Sequence, residues 1–301
     1  MKLAVLMSTY NGERYIRQQI DSVLAQQCSC QIDLIVRDDG SSDSTHAILC
    51  EYADAGLLQW YSGENLRSAK SFLDLLKHCP GYDFYAFADQ DDHWYPEKLQ
   101  KGLTLLQDVQ GPGMCFANAR LVDSALQGLG RNVYNHVPRT DFFSLVCSGG
   151  ILGCTMVFNR QLAQLLQEAP TPEHLIMHDA YTAIVCAMHD GVIRYIPEPQ
   201  MDYRQHGSNV VGCNWSKRDA LRDRFRQITT PNRPSIAQQA SSLIRCYPQL
   251  SDAKKARFLR RIANYPGSFF SALWLSLSRL PKYPSLNMAV TSRLAILFRN
   301  R

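Results

Sequence analysis

The chain has 301 residues, enough for one large core or for one domain with a smaller appendage. Hydrophobic residues make up 46% and charged residues 20%, a globular balance that excludes an intrinsically disordered chain. The formal net charge is +5, and the basic excess is gathered at the C-terminal end, where 214–301 holds many Lys and Arg against only Asp219, Asp223 and Asp252. Such a bias suits an anionic surface, either a membrane leaflet or a nucleic acid. The ten cysteines include no Cys-x-x-Cys, and Cys28-Ser29-Cys30 is too tight for a common structural zinc site. Cys154 and Cys186 lie in apolar runs, where a thiol behaves as a small hydrophobe. The opening apolar run is too short for a signal peptide, and no run reaches the roughly 20 residues that span a bilayer. The expectation is a cytoplasmic protein with reduced thiols that can touch the inner membrane face without crossing it.

Residues 3–7 are wholly apolar and predict a strand buried on both faces. Asn11-Gly12 ends it, and 13–26 has helical spacing through Tyr15, Ile16, Ile20, Val23 and Leu24. Residues 32–36 predict the next buried strand, stopping at Asp38-Asp39-Gly40. A helix over 45–55 follows, capped by Asp43 or Ser44. A strand over 57–61, a helix over 69–77 and a strand over 84–88 lead to Asp89-Gln90-Asp91-Asp92. The helix over 96–107 has Pro96 near its first turn. Beyond residue 110 the rhythm changes: strands over 115–121, 153–158 and 192–196, helices over 160–167 and 178–188. Residues 137–153 read as an acceptor-side loop or a core-packing loop. From Ser216 the chain reads as basic and helical, with loops at 231–234, Pro248 and 281–284. A boundary near 213 divides the chain into a catalytic domain, 1–212, and a basic C-terminal region, 213–301.

Alternating strands and helices predict an α/β fold with a doubly wound, mostly parallel sheet flanked by helices, followed by a small helical C-terminal region. Ligands of such sheets bind beyond the carboxyl ends of the strands. Here the first, second and fourth strands all end in polar residues. Asp89 and Asp91, at i and i+2 of a strand end, point the same way and need a cation or a proton between them. Mg²⁺ or Mn²⁺ is the natural partner and would neutralise a diphosphate leaving group; solvated loop acids are the alternative. Asp38 or Asp39 could bind a base or ribose, or could simply serve a Gly40-centred turn. Thr9 and Glu13 follow the first strand, Glu13 also suiting a helix first turn. Asp179 opens a helix whose N-terminus favours its ionised form, fit for a general base or an N-cap. Arg204 could grip a phosphate, and His206 could ligate a metal or donate to a phosphate.

Taken together, Ser8-Thr9-Tyr10-Asn11-Gly12, Arg37-Asp38-Asp39-Gly40-Ser41-Ser42-Asp43, Asp89-Gln90-Asp91-Asp92 and His178-Asp179 resemble family 2 glycosyltransferases of GT-A fold, over about 1–212. The resemblance implies nucleotide-sugar-binding roles for Thr9, Tyr10, Asn11, Glu13, Asp38, Asp39, Asp89, Gln90 and Arg204. It implies metal ligation by Asp91, Asp89 and His206, with Asp92 assisting, and base catalysis by Asp179, although the family more often has Glu-Asp where this chain has His178-Asp179. No Gln-x-x-Arg-Trp motif is present, so addition of one or a few sugars is expected rather than long polymerisation. Residues 203–212 with Asp89-Gln90-Asp91-Asp92-His93-Trp94 resemble the bacterial rhamnosyltransferase-like branch. That implies L-rhamnose from dTDP-rhamnose as donor, UDP-hexose being the alternative. It also implies a glycan or lipid-linked acceptor in O-antigen or capsule synthesis.

Asn118 and Asp123 are placed at the acceptor side. The stripe Phe269, Phe270, Leu273, Trp274, Leu277 and Leu280 suits a helix lying on an anionic leaflet, or one packed on protein. A nucleotidyltransferase would need a Gly-rich basic loop after the first strand, where only Gly12 stands. A phosphatase with an Asp nucleophile would carry its Asp-x-Asp after the first strand, not the fourth. A nucleic-acid-binding module would leave three acidic strand ends without a role, so no nucleic-acid partner is expected.

Overall fold

A computed structural model describes residues 1–206, 234–283 and 286–297. The expected boundary near 213, the helical onset at Ser216 and positions 207–212 of the rhamnosyltransferase-like phrase lie outside the described residues. The chain divides into two compact units.

The first unit covers Met1–Val137, Ile151–Glu168 and the described residues 177–206. It begins β1 (Lys2–Thr9), α1 (Ile16–Leu24), β2 (Gln31–Asp38), α2 (Thr45–Asp54), β3 (Gln59–Ser62), α3 (Arg67–His78) and β4 (Phe84–Ala88). There follow β5 (His93–Trp94), α4 (Lys98–Leu106), β6 (Gly113–Val122) and β7 (Gly128–Asn132). A 3-10 turn (Gly153–Thr155) then leads into β8 (Met156–Asn159), α6 (Arg160–Glu168), α7 (His178–Met188) and β9 (Val192–Arg204). The sheet runs β3-β2-β1-β4-β8-β6-β9-β5, with β7 on β6.

The strands β3, β2, β1 and β4 are parallel, as the alternation predicts. Leu3, Ala4, Val5, Leu6 and Met7 of β1 are 0% exposed, because helices cover both faces of a central strand. Past β4 the sheet becomes mixed: β8 is antiparallel to β4 and β6, while β9 is parallel to β6. Apolar runs announce that strands exist there but carry no information on their direction. The strand expected over 192–196 extends through Pro197 and Pro199 to Arg204. Its register against β6 shifts near Asn118, opposite Pro199, an irregularity of the kind that accommodates proline within a sheet. This extension decides the site. It sets Asp202 and Met201 against His93 and Trp94 of β5, and so carries Arg204 and His206 to the turn that follows β4.

The second unit comprises Pro138–Gly150, Ala169–Ile176 and the described residues of the C-terminal segment. Its helices are α5 (Phe142–Ser148), α8 (Ile236–Cys246), α9 (Ala253–Asn264), α10 (Phe269–Leu277) and α11 (Leu286–Leu297). The loop expected over 137–153 is in part α5, capped by Asp141, whose carboxylate accepts from Ser144 N at 3.1 Å, and ended by Gly149 at φ 57°. Asp141 before Phe142-Phe143 and the Gly149-Gly150 stop were the available signals. Ser235 and Gln238 form a capping box on α8, and Asp252 caps α9. The rings of Phe142, Phe143 and Trp274 surround Phe258 at 5.0–6.4 Å. The apolar stripe expected along α10 is not its buried face: Ala272 and Leu275 are buried, whereas Phe269, Phe270 and Leu277 are 52%, 82% and 71% exposed. Among the described residues, no helix is long and apolar enough to cross a membrane.

Candidate functional site

The loops after β1 and β2 are stapled to each other. Asn11, at φ 49°, donates its N–H to Ser41 Oγ at 2.8 Å and accepts from Ser42 N at 2.9 Å. Glu13 N donates to Asp43 at 3.1 Å, and the Glu13 carboxylate accepts from Ser44 N at 2.9 Å. Glu13 thus holds the start of α2 and is not a first-turn acid of its own helix, which begins at Ile16. Gln90 closes the set from the β4 side: it accepts from Thr9 Oγ1 and Tyr10 N and donates to Tyr10 O. A side chain at Gly12 would crowd Gln90 Oε1 and Thr9 Oγ1 and displace the Gln90 contact to the β1 loop.

Both acids ending β2 are buried and supplied with donors. Asp38 accepts from Gly40 N, Ser41 N, Ser41 Oγ and Ser62 Oγ, and lies 2.7 Å from His46 Nε2. Burial alone would raise its pKa, but the hydrogen bonds from Ser41, His46 and the turn outweigh burial and hold it below the ordinary carboxylate value. Asp39 pairs with the buried Arg37 and accepts from Leu66 N at 3.0 Å. Arg37 and Asp39 stand two residues apart on one strand face, a pairing that alternation could have revealed.

The turn after β4 is different. Asp91 meets His206, Oδ2 to Nε2, at 2.6 Å. Asp92 is 0% exposed; its Oδ1 accepts from Arg204 N at 3.2 Å, while its Oδ2 has no hydrogen-bond partner among the described residues. Burial, then the charges of Asp91 and Asp179, push Asp89 up to about 7. Burial and the same crowding of acids by Asp91 and Asp89 raise Asp92 well above its usual value. Arg204 does not take the expected place of an exposed phosphate clamp. It is 1% exposed, donates to Asp91 O, Ser124 O and Gln18, and lies over the Tyr15 ring at 4.4 Å. Its guanidinium therefore fixes the Asp91–Asp92 turn from beneath.

Asp179 faces the same turn from the start of α7. It is 8% exposed and accepts from Gly153 N at 3.1 Å and Ala180 N at 2.6 Å. Burial pushes it up to about 6 against those two backbone donors, so the depression expected from the helix N-terminus is overruled by desolvation. Its neighbour His178 stacks on Phe72 at 3.9 Å and meets Phe87 edge-on, and neither ring nitrogen has a hydrogen-bond partner among the described residues. Burial holds His178 neutral, near a pKa of about 3. A Cβ at Gly153 would clash with His178 Nε2, so a larger residue would have to shift the buried His178 ring. Asn118 and Asp123, expected near the acceptor, brace their own surroundings: Asn118 pairs with the backbone of Tyr134, and Asp123 accepts from Ala125 N and Gln127 N.

Three residues of this region escaped sequence reasoning. Cys154 lies close to Asp89 and Asp92, the three ligand atoms all within 4.8 Å of one another. Lys98 is 2% exposed, with Nζ 3.6 Å above the Trp94 ring. Gly153 supports Asp179. Nothing in a lone buried Cys, Lys or Gly announces such neighbours; strand pairing supplies them. The residues at the end of β4 fit a divalent cation: buried carboxylates repel one another, one oxygen has no donor, and an imidazole stands beside Asp91.

Residues 4–118 match the family described as Glycosyl transferase family 2. A relative named dTDP-rhamnosyl transferase RfbG, from Shigella flexneri, is 27% identical over 226 residues, covering 70% of this chain and 75% of that protein. An uncharacterized protein of Mycobacterium tuberculosis is 25% identical over 301 residues, covering 95% of this chain and 82% of its own length. Among solved structures, S. aureus TarS 1–349 in complex with UDP-GlcNAc aligns with a TM-score of 0.58 at 17% identity, over 99% of this chain and 82% of that one. TarS 1–349 in complex with UDP gives a TM-score of 0.55 at 19% identity, over 99% and 81%. Likeness at such identity establishes the fold, while the sequence match bears on the family. Over residues 4–118 the chain is thus similar to family 2 glycosyl transferases, its fold is GT-A, and its enzyme class is glycosyltransferase.

Proposed function

We propose that the chain transfers a sugar, with inversion, from a nucleoside diphosphate donor to an acceptor hydroxyl, with Asp179 as general base. The observation that carries this reading is the convergence of acids from distant parts of the chain: the Asp89 carboxyl feels the charges of both Asp91 and Asp179. Asp179, held near 6, is ionised at neutral pH yet more basic than an ordinary carboxylate, which suits it to take the acceptor's proton. The acceptor oxygen then attacks the anomeric carbon while the nucleoside diphosphate leaves from the opposite face. Thr9, Tyr10, Asn11, Asp38 and Asp39 border the nucleoside side, where Gln90 fixes the β1 loop. Asp89, Asp91 and His206, with Asp92, would hold Mg²⁺ or Mn²⁺, whose charge would offset that of the departing diphosphate. Arg204 keeps the Asp91–Asp92 turn in place.

The proposed donor is dTDP-rhamnose, because a relative covering most of the chain bears the name of a dTDP-rhamnosyl transferase. The proposed acceptor is a lipid-linked or polysaccharide hydroxyl in bacterial surface polysaccharide synthesis, such as O-antigen or capsule. A second reading of the acceptor's location, peripheral contact with an anionic leaflet, is favoured by exposed Phe269, Phe270 and Leu277 in a unit whose α9 also exposes Lys254, Arg257 and Arg260. Nucleotide release measured with dTDP-rhamnose, UDP-GlcNAc, UDP-glucose and GDP-mannose, with Mn²⁺ or Mg²⁺, tests the donor. Fastest release of dTDP is expected; faster release of UDP would replace the rhamnose reading with a UDP-hexose one.

A further inference from the structure

The reactions proposed above leave Cys154 without a role, although it stands at the centre of the acidic cluster. Its 3-10 turn leads into β8, and extending the β4–β8 register by three residues sets Cys154 opposite Asp89. The thiol sulfur and one oxygen each of Asp89 and Asp92 lie within 4.8 Å of one another. Asp92 points a second feature at the same place: this fully buried carboxylate has an oxygen with no hydrogen-bond partner among the described residues. Lys98 is the nearby cation, but its ammonium rests on the Trp94 ring and makes no hydrogen bond among the described residues, so it leaves that oxygen's lone pairs unclaimed.

We propose that Cys154, together with Asp89 and Asp92, gives the cation pocket at the end of β4 a thiolate ligand, and that the pocket therefore prefers a borderline or thiophilic divalent ion, such as Zn²⁺ or Co²⁺, to Mg²⁺. The inference rests on the cation reading made above and goes beyond it in naming a sulfur ligand and the selectivity that follows. Two carboxylates alone would suit Mg²⁺, a hard ion that takes oxygen ligands. A thiolate shifts the preference toward softer ions, because sulfur binds them with more covalent character and Mg²⁺ gains little from it. On coordination the thiol gives up its proton to solvent, and the thiolate lone pair forms the metal–sulfur bond. The two carboxylates and the thiolate then share one divalent charge in a site from which water is largely excluded. That removes the repulsion between the acids and satisfies the open Asp92 oxygen.

The test uses the full chain and Co²⁺ as a spectroscopic probe. X-ray absorption of the cobalt-loaded protein is expected to show one sulfur in the first shell at about 2.3 Å, the typical metal–thiolate distance of such sites. A near-ultraviolet sulfur-to-cobalt charge-transfer band should accompany it. In Cys154→Ser the band and the sulfur shell should vanish and Co²⁺ affinity fall by at least about tenfold, the lower limit seen even for outer-sphere changes. Titration calorimetry should show Mg²⁺ binding unaffected by the same change. Cys186→Ser, at a buried thiol on α7, should keep the band. A first shell of oxygen and nitrogen alone in the wild-type protein, or a band that persists in Cys154→Ser, overturns the thiolate while leaving a carboxylate-held cation intact. Failure of Mn²⁺, Mg²⁺ and Co²⁺ alike to bind overturns the cation reading as well. The absorption measurement on the wild-type chain decides the question even if the serine variant fails to fold.

Discussion

Two strand ends in this molecule carry pairs of buried or half-buried acids, and their surroundings are opposite. At the end of β2, Asp38 receives turn N–H groups, serine hydroxyls and His46, and Asp39 is matched by Arg37. At the end of β4, Asp89 and Asp92 meet other acids, a thiol and an oxygen left without a donor. The first site pulls its carboxyl below the ordinary value and the second pushes its carboxyls above it. A buried charge is tolerable only when compensated. The β2 end carries its compensation within the fold, whereas the β4 end lacks it among the described residues. Acids at a strand end are therefore not diagnostic in themselves; the number of donors around them separates a scaffold from a reaction site.

The largest expected consequence lies at Asp179, the proposed general base, and at Asp91 in the turn after β4. Asp179→Asn and Asp91→Asn should each lower the turnover number about a thousandfold, the scale of a lost general base or a lost electrostatic contact. Circular dichroism of both variants should match the wild type. Near-normal turnover in either would remove that residue from the mechanism and blur the contrast between the two strand ends.

Asp38→Ala should act through stability instead. It removes the charged acceptor of the Gly40 and Ser41 amides and the Ser62 hydroxyl in a partly exposed turn, at a cost of about 1.5–3 kcal/mol, the net range for hydrogen bonds to a charged group, read by urea denaturation. A loss below ~0.5 kcal/mol, the range of ordinary surface substitutions, would mean that the β2 end is not self-compensated.

The titration behaviour of the two ends should also diverge. Asp38, with a lowered folded-state pKa, contributes stability above its unfolded value of about 3.9, and that contribution is lost as pH falls through the folded value. Asp89 and Asp179 are raised, to about 7 and about 6, so the sign reverses. Their penalty is absent below about pH 4, grows as pH rises toward 7 and is then constant. The metal-free protein should lose thermal stability over that window, and Mn²⁺ should restore more of it at pH 7.5 than at pH 5, as seen by thermal shift. Equal Mn²⁺ effects at both pH values would argue against a cation on these acids.

The smallest effect is expected outside the catalytic unit. Phe270→Ser should reduce flotation with vesicles containing anionic lipid and leave transfer to a water-soluble acceptor near the wild-type rate. Unchanged flotation would remove the leaflet contact from this helix.

Much of the catalytic unit was legible in the chain itself. The apolar runs of β1, β2 and β4 are buried on both faces and long enough to be read as strands, and α7 begins and ends where the apolar run over 178–188 predicts. The polar stops after the first, second and fourth strands marked the candidate site in the sequence. Less was legible past β4. Two-residue β5 gives no periodic signal, and β9 continues through two prolines that normally argue against a strand. Asp179 was found as a first-turn acid, but its raised pKa depends on burial that the helix-terminus argument could not include. On α10 the aromatic stripe was visible, and the exposed side is that of Phe269 and Phe270, while Ala272 and Leu275 are buried.

The amino-acid order by itself determined which segments are strands and helices and which acids stand at the strand ends, since both follow from local periodicity and turn chemistry. The tertiary structure alone decided which of those acids are satisfied. Donors such as Ser62 and His46 reach Asp38 across strands and turns, whereas the β8 pairing brings a thiol and β9 brings Arg204 and His206 to the other end. Charge compensation in a protein interior is set by neighbours in space, and sequence separation says little about who they are.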